Sequence, residues 1–505
     1  MTRRWAAEPH RRRHRAAEPH RRRHRTTGVV LAVAAMALGG CSSPPAPPKD
    51  PARDLADRVG VDGMYVHLRK LQEIADANGR SRAVGTPGYD ASVDYVAQAL
   101  RDKGLDVQTP EFDRLDVVSP GKPTLTALGR TYPVDQASLL APTKSGGLRA
   151  VTLRPEKPAG CAAADYGNMK MKGAIAIVDD SGCSVVDKQN AAVARGAVGL
   201  LVASAGASTR SAGLFAPGYY RGLTVPVAVI DADTDAALRR TTAPVLLTLD
   251  AKAAMVKSRN VLAQTKTGDT HNVVMVGAHL ASAAKSPGIN DDGTGVAALM
   301  ETATALGARP SVANAVRFAF WGSDESVPAG SMNYVEGLDR DGLNDIALYL
   351  DFDMLGSPNA GYFTYDGDQS GQANPAVPAD TVPIGSAGVE RTLAGYLNLA
   401  GVRPADMPLG SADYTPFLEA GVPIGGTTTG AAQRKTTLQA RLWGGTAGVA
   451  FDRNYRLPGD TVDNVSRDAL AVTGPGVAFA VGTYAHSIEG ANGVPTREQR
   501  RRNTP

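Results

Sequence analysis

Apolar positions recur along this chain with two periods. From Asp62 to Ala77, Met64, Leu68, Leu71 and Ile74 fall near helical spacing, and Gly79 stops the run. From Tyr89 to Lys103, Val93, Val96, Ala97 and Leu100 repeat that spacing, Gly104 ends it, and Leu105 to Thr109 opens a strand. The stretch Asn78 to Gly88, NGRSRAVGTPG, carries strong breakers and reads as a loop. Further on, short continuous apolar runs predict buried strands at Val273–Ala278, Ala315–Trp321, Ile346–Phe352 and Tyr362–Tyr365. Helical periods follow Gly293, Ser331 and about Ala387, and a last helix runs from Arg467 to Ser487. Strands alternating with helices of these lengths predict an α/β fold with a doubly wound, mostly parallel sheet.

Between Asp116 and Leu249 the texture changes. Shorter β-like runs at Gly173–Asp179, Val198–Ala203 and Val225–Ile230 surround one helical stretch, Val185 to Arg195, with Gly, Ser and Pro as punctuation. This is expected to be an inserted small β-rich α/β domain over residues 116–254, leaving 53–115 and 255–490 to build the main domain. Residues 491–505, which include the polar REQRRRNTP, are expected to form a disordered tail.

The N-terminus alters the meaning of the composition. The formal net charge is +4, but residues 1–40 hold ten Arg and two Glu, and without them 44 basic residues face 48 acidic ones. A net charge near −4 excludes nucleic acid as a partner on charge grounds. The tandem AAEPHRRRHR repeat at Ala6–Arg15 and Ala16–Arg25 precedes an apolar run of eleven residues, Gly28 to Leu38. That run suits a signal peptide and is too short to span a bilayer, so residues 1–40 read as a signal peptide. Leu38-Gly39-Gly40-Cys41 resembles a lipobox, which predicts lipidation of Cys41 and an exported cell-membrane lipoprotein facing outward. Residues 41–52 continue into a Pro-rich tether. The remaining cysteines, Cys161 and Cys183, are an even pair in an exported protein, and a disulfide is expected.

Chemistry gathers at predicted strand ends. His279 ends Val273–Ala278, and Asp291 and Asp292 follow in a Gly/Pro-rich loop. Ser323-Asp324-Glu325 ends Ala315–Trp321, and Asp353 follows Phe352. Late in the chain comes Asn454-Tyr455-Arg456-Leu457-Pro458-Gly459-Asp460. Parallel strands present such ends on one edge, where open α/β sheets hold ligands. In this order the residues resemble the secreted co-catalytic zinc aminopeptidases, relatives of glutamate carboxypeptidase and the transferrin receptor, from about Asp54 to Gly490. The insert resembles the protease-associated domain, which implies a substrate-access module without chemistry of its own.

The resemblance implies two zinc ions bridged by one Asp. Carried over residue by residue, His279, Asp291 and Asp353 match the ligands of the first zinc, with Asp291 as the bridge. Glu325 matches a ligand of the second zinc, Asp324 the general base, and Tyr455 a tyrosine that stabilises the oxyanion. Asp413 and Tyr414, in Gly410-Ser-Ala-Asp-Tyr-Thr-Pro-Phe417, match a substrate-side loop where the family has Ser-Asp-His.

Three positions depart from the pattern. Ala281 stands where the family's Asp orients the His, a loss that typically costs roughly 10–100-fold in affinity or activity. Asp324 is one methylene shorter than the family's Glu. Arg456 stands where the family has a zinc-binding His, and Arg cannot ligate zinc because it stays protonated. A guanidinium in place of the second zinc is the expectation, leaving one zinc on His279, Asp291 and Asp353. Two readings follow: a metallo-aminopeptidase of altered or reduced activity that removes N-terminal residues from peptides, and an inactive member that binds peptides or a surface partner.

Overall fold

The computed structural model describes residues 50–204, 214–215, 218–323, 328–372 and 374–503. Asp324, Glu325, Cys41, the signal peptide and most of the tether lie outside the described residues. Among those described, no helix is long and apolar enough to cross a membrane.

Eight strands make the main sheet. In chain order they are β1 (Asp106–Gln108), β2 (Val261–Gln264), β3 (Asp269–His279), β4 (Asn314–Trp321), β5 (Ile346–Phe352), β6 (Phe363–Tyr365), β7 (Ala405–Met407) and β8 (Ile424–Thr428). Their order across the sheet is β1-β2-β4-β3-β5-β8-β6-β7. The four central strands, β4, β3, β5 and β8, run parallel, so their C-terminal ends share one edge. β3 is buried from Val273 to His279 and β5 throughout, as expected of strands covered on both faces.

One face is covered by Val61–Ala77, Pro87–Asp102, Gly293–Leu306, Ser386–Leu399 and Arg467–His486. The other is covered by Ala329–Glu336, Arg340–Asp345 and Thr415–Glu419, with Phe417 stacked on Tyr349 at 4.0 Å. The predicted strands and helices recur with ends moved by at most four residues, and Ile346–Phe352 is unchanged. β8 was not foreseen: its sequence IGGTT has neither an apolar run nor an alternation, and it is a strand because β5 beside it supplies the ladder.

The insert is entered through a two-stranded ribbon, Glu111–Ser119 paired with Lys252–Arg259. Beyond it lie a five-stranded sheet, built on the parallel strands Ile175–Asp179, Gly199–Ala203 and Val227–Ile230, and a four-stranded antiparallel sheet. Cys161 and Cys183 are joined by a disulfide, and the buried Lys188 ammonium bonds the carbonyls of Ala159 and Ser181 beside it.

The C-terminal segment corrects the expectation of a disordered tail over 491–505. Arg500 and Arg502 are buried. Arg500 donates to the carbonyls of His271 and Asn344 and to Asn272 Oδ1, and Arg502 to those of Leu343, Gly421 and Ile346. These acceptors lie at or just before the starts of β3, β5 and β8, along the N-terminal edge of the sheet. A guanidinium has five donors in a fixed fork, so two arginines clasp what a polar composition alone reads as loose.

Candidate metal centre

At the opposite edge, β3 delivers His279 and β5 delivers Asp353, one residue beyond Phe352. Asp291 arrives on the loop between β3 and the helix Gly293–Leu306. His279 Nε2 lies 3.1 Å from Asp291 Oδ1 and 3.7 Å from Asp353 Oδ1. Tetrahedral zinc with bonds of about 2 Å spaces its ligand atoms roughly 3.3 Å apart, and the two distances flank that value. Among the described residues, His279 Nε2 and Asp291 Oδ1 are buried without an aligned hydrogen-bond partner. With Asp353 they offer one imidazole nitrogen and two carboxylate oxygens within 4.8 Å of one another, a donor set that suits zinc, so these residues fit a zinc site.

The opposite face of Asp291 meets a different cation. Its Oδ2 lies 4.0 Å from Arg456 Nε. Arg456 holds φ at +60° and Met354, next to Asp353, at +53°, so two non-glycine residues with left-handed backbones flank the centre. The Arg456 guanidinium also lies over the Tyr455 ring, 5.6 Å from its centroid, and Tyr455 is half-buried.

The loss at Ala281 is made good by backbone. The Ala281 carbonyl accepts from His279 Nδ1 at 2.9 Å, so Nδ1 carries a proton and Nε2 is the nitrogen turned inward toward Asp291 and Asp353. The imidazole is thus oriented without the carboxylate that the resemblance calls for. Burial alone depresses the His279 pKa, but the charge of Asp291, joined by Asp292 and Asp353, outweighs it and raises the imidazole well above its ordinary value.

A second layer holds the loop. Asp292 Oδ1 accepts from Gly295 N and Met354 N, both at 3.0 Å, which caps the helix and ties it to the end of β5. The approach needs glycine: a Cβ on Gly295 would sit 2.2 Å from Phe352 O. Burial raises Asp292 well above the ordinary carboxylate range. Asp460 accepts from Asn290 N at 2.8 Å and Asp291 N at 3.1 Å, and burial, with Asp291 and Asp452 nearby, pushes it up to about 7. Asn290 donates to Asp452 at 2.7 Å, and Asp452 also takes Asn454 N and the Asn464 amide, which seats the Tyr455–Arg456 loop against the metal loop.

Arg82 is the residue that sequence reasoning passed over. It is fully buried and donates to the carbonyls of Leu280 at 2.6 Å, Pro287 at 2.8 Å and Gly288 at 2.5 Å. Burial lowers it to about 10 against the opposing charges of Asp460, Asp292 and Asp291. Its signal in the sequence is only an arginine inside a breaker-rich loop; the acceptors lie about 200 residues away.

The substrate-side assignment of Asp413 and Tyr414 is corrected. Tyr414 is 2 % exposed, sits in the core against Tyr365 and has its hydroxyl bonded to Gly410 N. Asp413 is also buried, and its charge acts on Asp351, whose carboxyl is raised chiefly by burial. Pro416, Phe417 and Leu418 of the following helix pull this segment into the core, so neither residue lines an open surface.

Asp366, Asp368 and Glu390 form a second acidic group within 4.8 Å. Backbone amides answer it: Gly367 N and Asp368 N donate to Glu390, and Ser370 N and Gly371 N to Asp366. Burial, then the charge of Asp368, raises Glu390 to about 7. A carboxyl raised in the folded state loses stabilising effect as pH climbs from its ordinary value through about 7. Glu390→Gln is therefore expected to raise the melting temperature at pH 8 by roughly 1–3 °C and to leave it nearly unchanged at pH 5, read by calorimetry.

Comparison with known proteins places the chain in a family. Residues 260–481 match peptidase family M28 and residues 146–238 match the PA domain. The chain is 47 % identical over 456 residues to the probable lipoprotein aminopeptidase LpqL of Mycobacterium tuberculosis (strain ATCC 25618 / H37Rv), covering 89 % of each. It is 36 % identical over 430 residues to an aminopeptidase of Pseudomonas aeruginosa (strain UCBPP-PA14), covering 82 % of this chain and 78 % of that one. Among solved structures, the aminopeptidase from Aneurinibacillus sp. strain AM-1 superposes with a TM-score of 0.54 at 22 % identity, over 86 % of this chain and 96 % of that chain, which speaks to fold.

Proposed function

The chain belongs to peptidase family M28 and carries a PA-domain insert, and from that premise we propose that it is an exported lipoprotein metallo-aminopeptidase working with a single zinc. It removes N-terminal residues from peptides, and Cys41 anchors it to the outer face of the cell membrane. His279, Asp291 and Asp353 hold the zinc, which when bound polarises a carbonyl and acidifies water. The protein's own residues do the rest. Ala281 O keeps His279 in the tautomer that presents Nε2. Arg456 neutralises the outer oxygen of Asp291 in the manner of the missing second cation. Tyr455, beside it, is assigned to the oxyanion. Asp324 takes the role of base and Glu325 that of a further acidic residue of the centre, both from their order in the chain.

The observation that carries the single-zinc reading is the division of Asp291. One oxygen faces His279 and the other faces a guanidinium. In the full chain, elemental analysis is expected to find one tightly bound zinc. Arg456→His combined with Ala281→Asp is expected to bind two, and to raise hydrolysis of aminoacyl p-nitroanilides by about tenfold or more. Two zinc ions in the wild type would overturn the reading. Turnover only in the double variant would turn the wild type into a peptide-binding protein.

A further inference from the structure

The segment Thr429–Gly459 carries five basic residues, Arg434, Lys435, Arg441, Arg453 and Arg456, against one acidic residue, Asp452. Elsewhere the exported part of the chain is net acidic. The one carboxylate is spent: Asp452 is buried and bonded to Asn290, Asn454 and Asn464. Arg456 faces Asp291, and Lys435 is buried with its ammonium on the carbonyls of Ala360 and Gly444. Among the described residues, no carboxylate pairs with Arg434, Arg441 or Arg453 at ion-pair distance.

Two of these arginines line one cavity. Arg434 and Ala450 form an antiparallel bridge, and Phe451 N and Asp452 N bond Gln433 O and Ala431 O, so the two arms of the segment lie side by side. A cavity of about 350 Å³ is lined by Ala432, Arg434, Val449, Ala450 and Arg453. Arg434 Nη1 is steadied by Gly448 O at 2.6 Å.

The segment that lines the cavity leaves the sheet on the metal edge and returns to it. β8 runs parallel to β5, so Thr429 leaves the sheet on the side where Asp353 does, and Ser357 Oγ bonds Gly430 O at 2.6 Å. Arg453 follows Asp452, whose carboxylate reaches Asn290, the neighbour of Asp291.

We infer that this cavity is a subsite for a carboxylate of the bound peptide, with Arg434 and Arg453 as its specificity-determining residues. The inference rests on the peptidase reading for its ligand class. A guanidinium pair matches a carboxylate in charge and in donor geometry. An acidic side chain and a peptide C-terminus offer the same chemistry.

The test uses the full, zinc-loaded chain and three tetrapeptides: Leu-Ala-Ala-Glu-amide and Leu-Ala-Ala-Gln with a free C-terminus, each anionic at its last residue, and Leu-Ala-Ala-Gln-amide, neutral there. Turnover is followed on these peptides. Binding is followed by calorimetry on analogues whose first amide is reduced to a methylene-amine. At least one anionic peptide is expected to bind about tenfold more tightly than the neutral one. Arg434→Gln with Arg453→Gln is expected to erase that advantage while leaving the neutral peptide unchanged, and the double Lys variant to keep part of it. Whichever anionic peptide gains identifies the source of the carboxylate. Equal binding of all three by the wild type, no binding of any, or the same loss for all three in the Gln variant would overturn the subsite. Absence of turnover with binding preserved would overturn the peptidase reading alone.

Discussion

His279→Ala is expected to weaken zinc binding by more than about 100-fold and to remove hydrolysis of aminoacyl p-nitroanilides with it. The margin exceeds the roughly 10–100-fold that loss of an outer-shell partner costs, because the substitution removes a ligand atom itself. It would leave Asp291 and Asp353 facing each other with no neutral donor between them, and like charges so placed repel. Zinc affinity by chelator competition checks the first effect. The imidazole also predicts a pH dependence in the wild type. In the metal-free protein Asp291, Asp292 and Asp353 raise the His279 pKa well above its ordinary value despite its burial. Zinc must displace that proton, so affinity is expected to fall as pH is lowered and binding to release protons. The sign for folding is the reverse. A raised imidazole stabilises the metal-free fold fully below its unfolded-state pKa, and that contribution is lost as pH rises through the folded-state value. His279→Ala is expected to flatten both dependences.

The second large effect belongs to Arg82. Replacing it with methionine keeps most of the buried volume but strips donors from the carbonyls of Leu280, Pro287 and Gly288. It also removes the cation that faces Asp460, Asp292 and Asp291. Removing one side of a buried charge arrangement costs about 3–5 kcal/mol, since what remains is buried without compensation. Arg82→Met is expected to lose that much in chemical denaturation of the metal-free protein. Zinc-loaded protein is expected to lose less, because the bound cation takes over part of the neutralisation. Arg82→Lys restores the charge but cannot span three separated carbonyls, so it is expected to recover only part of the loss. Equal losses with and without zinc would show that the guanidinium acts through its hydrogen bonds alone.

Both predictions turn on how the chain is assembled, and they differ in how readable they were. His279, Asp291 and Asp353 were legible because each follows a recognisable strand or opens a recognisable helix, and parallel strands bring such ends to one edge. Arg456 was legible as a departure, and the geometry adds which oxygen of Asp291 it faces. Arg82 was not legible as part of the centre, and Asp460 was legible as a late acidic residue but not in its role, because their partners are main-chain atoms, and every residue has those. For the same reason Ala281 looked like a loss, although its carbonyl does the orienting. The segment ending at Asn503 looked loose because its arginines gain their value only from carbonyls that the folded sheet edge lines up.

The amino-acid sequence by itself determined the layered α/β plan, the inserted domain, and the residue types at the strand ends, since hydrophobic period and chain order are local properties. Only the tertiary structure decided that backbone replaces the missing carboxylate at His279, that Asp291 turns one oxygen to His279 and the other to Arg456, and that Tyr414 is core rather than cleft. Those outcomes depend on atoms brought together across hundreds of residues, where packing and burial set which groups meet and no spacing along the chain records it.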